Sequence, residues 1–247
     1  MEFILDKFNG IIIDVASVPN DTKIFEQELT EILQFSSENR KGITWLSLPI
    51  SQSQLIPVAT QAGFVFHNCL EAEITLVHKS DSVSFVPFIP THTLGAGALI
   101  TNDDHELLVI KEHGMTGYKL PGGHIELAEN IEESIIRETL EETGVKATFQ
   151  SVVGMTTKHP YQFGKSNLYF ICHLTADSQD IDIQDTHEIA EAKWISVDEF
   201  IEDEKNFPFN RQMVRALVGK KGLEKVKVEG NHGLHKKQEI FFSHNEL

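Results

Sequence analysis

Residues 122–145 read GGHIELAENIEESIIRETLEETGV, and no other stretch of the chain carries as much information. Apolar side chains recur there at helical spacing and predict an amphipathic helix over residues 130–143: Ile131, Ile135, Ile136 and Leu140. Gly144 stands where a glycine ends a helix, because glycine adopts left-handed backbone angles at little cost. Gly122 and Gly123 predict a tight turn directly before the helical segment.

Three glutamates lie on the predicted helix at positions i, i+3 and i+4: Glu138, Glu141 and Glu142. Side chains at this spacing share one face about 5–6 Å apart, where like charges destabilise a bare helix. A divalent cation offsets that repulsion, and all-oxygen ligands favour a hard ion such as Mg²⁺ or Mn²⁺. The alternative is a solvated acidic face, but such a face requires neither the glycines nor Arg137.

The same segment resembles the Nudix box, Gly-x5-Glu-x7-Arg-Glu-U-x-Glu-Glu-x-Gly-U, in which U is a bulky aliphatic residue. The named positions are filled in register by Gly123, Glu129, Arg137, Glu138, Glu141, Glu142, Gly144 and Val145. Thr139 departs from the pattern, because an aliphatic residue is usual there. Ala128 also departs, at a position where glycine is common.

The resemblance implies a metal-dependent reaction. Glu138 and Glu142 would bind the metal directly, Glu141 would bind it directly or through water, and the carbonyl of Gly122 would add a ligand. Water would attack a phosphorus of a diphosphate, with the metal lowering the pKa of that water and stabilising charge on the phosphate oxygens.

Other box residues are implied to be scaffolding. Glu129 would pair with Arg137 and hold the loop against the helix, and the glycines at 123 and 144 would shape its two ends. A catalytic base is expected from Glu188, which precedes the strand bearing Trp194. Two alternatives stay open for that base, Glu191 and the helix glutamate Glu141, as does a surface role for Glu188 and Glu191.

Four residues outside the acidic group are candidates for substrate binding: Lys119, His124, Tyr161 and Phe163. Lys119 would offset phosphate charge, or it is a solvated lysine at a strand edge. His124 directly follows the two glycines. Tyr161 and Phe163 lie in a loop between predicted strands and suit stacking on a base or ribose, with loop packing as the alternative.

The segments before and after the box resemble one subgroup of Nudix proteins in particular. This subgroup includes a fibroblast-growth-factor-antisense-type protein of animals and several plant Nudix hydrolases. The segments that carry the resemblance are residues 41–46, 62–67, 90–98, 118–123 and 188–195. The implied fold class is α/β: a Nudix α/β/α sandwich at 91–220 after a smaller acetyltransferase-like α/β domain at 1–90, with a basic tail at 221–247. The first domain lacks an acetyltransferase diphosphate loop, so we expect a substrate-lid or dimerisation role.

Apolar patterning predicts further elements on both sides of the box. Strands are expected at 11–13, 43–48, 64–66, 72–77, 94–100, 107–110, 147–156, 167–175, 192–197 and 239–243. Helices are expected around Phe25–Leu33, at 53–62, from a cap at Asp198 to Ile201, and at 208–218. Pro87 and Pro90 mark the linker, and the small residues at 95–98 predict that another group approaches the backbone closely.

The formal net charge of the 247-residue chain is −16. Residues 91–205 hold 22 Asp and Glu against eight Lys and Arg, which disfavours binding of long nucleic acid. The basic excess after residue 206 is either a solvated tail or a contact for an acidic partner. No apolar run reaches the ~18 residues of a membrane span, and the N terminus lacks the basic start of a signal peptide. We therefore expect a cytoplasmic protein without a membrane partner.

These observations predict a Mg²⁺-dependent pyrophosphohydrolase for a nucleoside diphosphate linked to another group. The resemblance implies ADP-ribose, NADH or coenzyme A derivatives as substrates, and a nucleoside monophosphate and a phosphorylated remainder as products. A nucleotide-sensing binding module with vestigial hydrolysis is the alternative. Hydrolysis of mRNA caps is a third reading, against which the acidic middle segment counts. A homodimer is the family-based expectation.

Overall fold

A computed structural model of the protein describes residues 1–6, 9–80, 86, 89–227 and 237–243. The chain divides into two compact units, Met1–Pro90 and Thr91–Leu247. Of the two linker prolines, Pro87 lies outside the described residues and Pro90 ends the first unit. Within the described ranges, no helix has the length and apolar character needed to cross a membrane.

The first unit packs two helices on a mixed sheet. Its strands β1 to β5 are Phe3–Leu5, Gly10–Ile13, Ile43–Pro49, Val65–Cys69 and Glu73–Lys79, and its helices are α1 (Thr22–Glu38) and α2 (Ile56–Gln61). The strands pair in the order β1-β2-β3-β5-β4. Asp21 caps α1, because its carboxylate accepts the N–H groups of Lys23 and Ile24. Its core joins Phe25 and Leu29 of α1 to Leu46 of β3.

Most predicted elements of the first unit are confirmed, including α1, β2, β3 and the β4–β5 hairpin. The helical stretch predicted over 53–62 is confirmed, with its first residues in a 3-10 helix (Ile50–Leu55) that leads into α2 at Ile56. Strand β1 has only three residues and was not predicted.

The second unit surrounds the predicted box helix, which is α3 (Ile131–Thr143). Strands β6 to β13 are His92–Thr101, Glu106–Glu112, Gly122–His124, Ala147–Lys158, Ser166–Ala176, Ile189–Ser196, Leu223–Lys225 and Phe241–Ser243. Helices α4 and α5 are Val197–Glu202 and Pro208–Leu217. The sheet runs β11-β7-β6-β10-β9-β12-β13, and β8 pairs with β6.

Two hydrophobic clusters lie on opposite sides of this sheet. One joins Ile135 of α3 to Ala98 and Cys172 of the central strands β6 and β10. The other joins Phe200 of α4 and Val214 of α5 to neighbouring residues of the same strands. The described part of the second unit is therefore an α/β/α sandwich.

Three local predictions in this unit need correction. Gly122 and Gly123 form the short strand β8, in register with β6, and not an isolated tight turn. Helix α4 is capped by Ser196, whose hydroxyl accepts the N–H of Glu199 at 3.0 Å, so the prediction of Asp198 as its cap is wrong. The segment predicted as a basic tail also contains the unpredicted strand β12, which pairs with β9 and with β13, and β13 confirms the strand expected at 239–243.

The small residues of β6 make room for Tyr169 on the neighbouring strand β10. A Cβ atom added to Gly97 would lie 2.4 Å from the Tyr169 hydroxyl, and one added to Gly95 would lie 2.8 Å from its ring. The predicted close approach to this stretch of backbone is confirmed, and a tyrosine ring makes it.

Gly97→Ala should destabilise the second unit by about 1–3 kcal/mol, because the added methyl overlaps the phenol of Tyr169. Chemical denaturation of Gly97→Ala, Tyr169→Ala and the double variant measures the coupling. We expect the double variant to be more stable than the sum of the single effects predicts. Additive effects would contradict this account.

Candidate active site

The site is built where α3 faces the backbone of β8. Glu142 is 3% exposed, and its Oε2 accepts the N–H of Gly122 at 2.6 Å. Gly122 has φ of 141°, and a Cβ there would lie 2.2 Å from the carbonyl oxygen of Ala96. A Cβ at Gly123 would lie 2.6 Å from the carboxylate of Glu138. Glycine is required at position 122, because the backbone of β6 leaves no room for a side chain there, whereas a Cβ at position 123 would displace the carboxylate of Glu138.

Burial controls the charge of the two carboxyl groups nearest β8. It raises the pKa of Glu142 to about 8, although the hydrogen bond from Gly122 opposes the rise. Burial also raises the pKa of Glu138, against the opposing effect of Arg137. These groups therefore retain protons at a pH where an exposed glutamate is ionised, unless a cation lies beside them.

Arg137 ties the acidic groups together. Its Nε and Nη2 donate to the two carboxylate oxygens of Glu129 at 2.8 and 3.0 Å. Its Nη1 donates to both Glu138 and Glu141, each at 3.0 Å. The bidentate bond from Arg137 lowers the pKa of Glu129 to about 2. The expected pair of Glu129 and Arg137 is thus present, and the same guanidinium also donates to two glutamates of α3.

The donor chemistry of the site suits a hard divalent cation. Among the residues that the structure describes, no three Asp, Glu, His or Cys side chains yet surround one metal-sized point. Glu141, whose side chain is 46% exposed, is paired with Arg137, whereas Glu142 is directed to Gly122. Carboxylates that burial protonates can nevertheless exchange the proton for a cation, and carboxylate oxygens are the ligands that Mg²⁺ prefers.

The buried side of α3 is more polar than its apolar spacing predicted. Ile135 is fully buried, but the other fully buried or nearly buried positions are polar: Ser134, Thr139, Glu142 and Thr143. The Thr139 hydroxyl donates to the carbonyl of Ile135 at 2.7 Å, so its polar group is satisfied within the helix. This explains how threonine is accommodated at a position where the Nudix box usually has an aliphatic residue. Gly144 ends the helix with φ of 75°, as predicted.

Glu188 lies close enough to the carboxylates for its negative charge to raise the pKa of both Glu138 and Glu142. Its side chain is exposed, and its N–H donates to Oδ1 of Asp185 at 3.2 Å. Glu191 instead pairs with Lys111 at 2.5 Å. The geometry therefore favours Glu188 over Glu191 as a group acting beside α3.

Lys119 lies near the carboxylate of Glu142 and also lines a cavity. Its positive charge opposes the rise in the pKa of Glu142, and it pairs with Glu112. It also lines a cavity of about 530 Å³ with mostly apolar walls. Other lining residues come from separate strands, loops and helices: Leu120, Lys158, Tyr169, Phe209, Asn210 and Met213. These residues were missed from the sequence, because no local pattern marks side chains that meet only in the folded chain.

Tyr169 lines the cavity, and the charges of the acidic groups act on it. Burial raises the pKa of its phenol, and the negative charges of Glu142 and Glu138 add to the effect. A further cavity of about 540 Å³ lies beside β12, and none of the predicted site residues is among those that line it.

None of the three remaining substrate candidates is among the described residues that line the 530 Å³ cavity. Phe163 is 97% exposed, and the ring of Tyr161 lies 5.7 Å from Nζ of Lys158. His124 is exposed and contributes its backbone carbonyl, which accepts from Arg137 at 3.5 Å. Their roles in binding stay predictions.

Family models match both units. The model described as the NUDIX domain matches residues 91–217, and that described as the Nudix hydrolase domain matches residues 1–79. Nudix hydrolase 8 of Arabidopsis thaliana is 35% identical over 80% of this chain and 55% of its own length. Nucleoside diphosphate-linked moiety X motif 6 of Homo sapiens is 31% identical over 90% of this chain and 74% of its own.

A solved structure of a NUDIX hydrolase from Nitrosomonas europaea is 27% identical, with a TM-score of 0.45. The match covers 53% of this chain and 91% of that one. The chain thus spans about half the length of the Arabidopsis relative but three quarters of the human one.

Glu142→Gln should stabilise the metal-free protein increasingly as the pH rises. The pKa of Glu142 is about 8 when folded and 4.5 unfolded, so the folded state binds the extra proton between these values. Wild-type stability therefore falls through that window, by up to about 5 kcal/mol, whereas glutamine keeps an acceptor for Gly122 and never ionises. Thermal unfolding of both proteins in chelator from pH 5 to 8.5 measures the difference. Parallel stability curves would contradict it.

Proposed function

Because the chain belongs to the Nudix hydrolase family, we propose that it is a Mg²⁺-dependent pyrophosphohydrolase. Its substrate would be a nucleoside diphosphate linked to another group. The observation that carries the proposal is the pair of the buried Glu142 and the half-buried Glu138 beside the two glycines of β8, with raised pKa values and Lys119 nearby.

In this proposal the metal is held by four groups: the carboxylates of Glu138, Glu141 and Glu142 and the carbonyl of Gly122. Bound Mg²⁺, or Mn²⁺ in its place, supplies an activated water and neutralises charge on the phosphate oxygens. The raised pKa of Glu142 supports this proposal. A buried carboxyl group that holds a proton near neutral pH is stabilised in its ionised form when a metal ion binds beside it.

Each neighbouring side chain then has a distinct task. Arg137 keeps Glu129 as its bidentate partner, which anchors the loop before α3 while Glu138 and Glu141 serve the site. Glu188 accepts the proton of the attacking water, with Glu141 as the alternative, because its charge already acts on both buried carboxylates. Lys119 contributes positive charge toward a diphosphate.

The 530 Å³ cavity would receive the organic part of the substrate. Its volume lies in the range of small-molecule sites, and its apolar walls with a few polar groups are typical of them. An ADP-ribose, NADH or coenzyme A derivative would leave a nucleoside monophosphate and a phosphorylated remainder. A homodimer, a cytoplasmic location and a lid or dimerisation role for the first unit stay predictions from the sequence.

Hydrolysis should depend on the buried glutamates. With Mg²⁺ and a panel of ADP-ribose, NADH and coenzyme A, we expect Glu142→Gln and Glu138→Gln to lower kcat by at least about a hundredfold. Glu126→Gln, a change at an exposed glutamate of the preceding loop, should keep wild-type kcat. Release of the nucleoside monophosphate is measured by chromatography, and circular dichroism checks folding.

Two results would count against the enzyme. Near-full activity of Glu142→Gln would refute the proposed metal ligands. Tight binding of a nucleotide by the wild-type protein without release of a monophosphate would instead support a nucleotide-sensing module.

The cavity assignment predicts an effect on KM. Phe209→Ala should raise KM for the preferred substrate about threefold to tenfold with little change in kcat, because a ring that packs against the organic group is lost. Phe66→Ala, which removes an exposed phenylalanine of the first unit, is the matched control. Unchanged KM in Phe209→Ala would place the organic group outside this cavity.

A further inference from the structure

The C-terminal residues contact the first turn of α3. We call Leu223–Lys225 together with residues 237–243 the C-terminal strap. The side chain of Glu239 in the strap is 9% exposed, and its carboxylate accepts the N–H of Ile131 at 2.7 Å and of Glu132 at 3.2 Å. The first N–H groups of a helix have no partner inside the helix. The strap therefore supplies an acceptor from 108 residues away in the chain.

Two lysines of the strap reinforce this contact. Lys225 pairs with Glu132 and lies 3.4 Å from Glu239, and Lys237 pairs with Glu133 at 2.7 Å. Helix α3 carries several acidic residues and Arg137 as its one basic residue. The two lysines of the strap therefore offset the repulsion between acidic side chains at the N terminus of α3, where, in the described part of the chain, Arg137 forms no ion pair with Glu132 or Glu133.

The strap is itself attached to the second unit. Its strand β12 pairs with β9, and β13 pairs with β12. The Phe241 ring packs against Phe149 with centroids 5.8 Å apart, in the hydrophobic cluster that also includes Ile131. Glu239 thus reaches the helix from a segment fixed by both backbone pairing and side-chain packing.

The position of the first turn matters because the acidic site tolerates little movement. The loop between β8 and α3 contains Glu129, which holds Arg137, and Arg137 holds Glu138. Glu138 in turn lies so close to Gly123 that no Cβ fits between them. Metal–oxygen distances tolerate only about 0.2 Å. A displacement of the first turn of α3 would therefore also move the proposed metal ligands.

We propose that Glu239 is a positioning residue for the metal-binding carboxylates of α3, acting through the N terminus of the helix. The inference rests on the proposed function, since it concerns the same metal site. It involves residues beyond 91–217, the range matched by the NUDIX domain model.

The test uses the full chain with Glu239→Gln, which removes the charge but keeps one acceptor oxygen. Mn²⁺ binding is measured without substrate by electron paramagnetic resonance, and local order by amide hydrogen exchange of residues 125–137. We expect about threefold to tenfold weaker Mn²⁺ binding and faster exchange in that segment, with exchange in other segments unchanged. At saturating substrate kcat should fall while KM stays the same. Glu204→Gln removes one charge from an exposed position and should match the wild-type protein.

Unchanged Mn²⁺ affinity and local exchange in Glu239→Gln would overturn the proposal, as would faster exchange throughout the second unit, which indicates general destabilisation. If Glu239→Gln does not fold, Lys225→Gln replaces it, because that change leaves the N–H acceptor in place. Weaker Mn²⁺ binding by Lys225→Gln supports the strap, and wild-type binding refutes it. Absence of Mn²⁺ binding by the wild-type protein defeats the proposed function itself, whereas equal binding by wild type and Glu239→Gln defeats only the strap.

Discussion

The hydrogen bond from Gly122 to Glu142 is the constraint on which the acidic site depends. It holds the carboxyl group of Glu142 in a buried position between α3 and β8, where only glycine fits at position 122 of the strand. Burial then keeps that carboxyl group protonated near neutral pH. One short contact therefore joins α3 to β8 and holds the buried carboxyl group that we propose as a metal ligand.

Charge balance explains why Arg137 belongs to the same unit. Its guanidinium uses one edge for Glu129 and the remaining nitrogen for Glu138 and Glu141. The planar fork of arginine allows this simultaneous pairing, and a lysine ammonium would not reproduce it. The loop anchor and the hydrogen bonds to two glutamates of α3 thus come from one side chain, Arg137.

Much of the site was predictable from the sequence because it is local. The helix and its glycine end follow from spacing within 24 consecutive residues, and the pair of Glu129 and Arg137 in the same stretch was implied by the resemblance to the Nudix box. Glu239 was not predictable, because it reaches Ile131 across 108 residues. The same holds for the cavity around Tyr169, whose walls come from separate elements.

Errors within the second unit have a similar origin. Ser196 and Asp198 are both favourable caps, and the paired end of β11 decided for Ser196. Local spacing also suggested an apolar face for α3, whereas Thr139 is buried with its hydroxyl satisfied by the helix backbone. In each case a residue type compatible with the fold was recognised, but the choice between neighbours depended on pairing or packing outside the segment.

The C-terminal end of α3 also depends on a contact from outside its own segment. Asp185 donates its N–H to the carbonyl of Glu141 at 2.9 Å, and its carboxylate oxygen Oδ1 accepts the N–H of Glu188 at 3.2 Å. The segment bearing the proposed base is therefore tied to the helix that bears the proposed metal ligands by one main-chain bond and one bond to the carboxylate of Asp185.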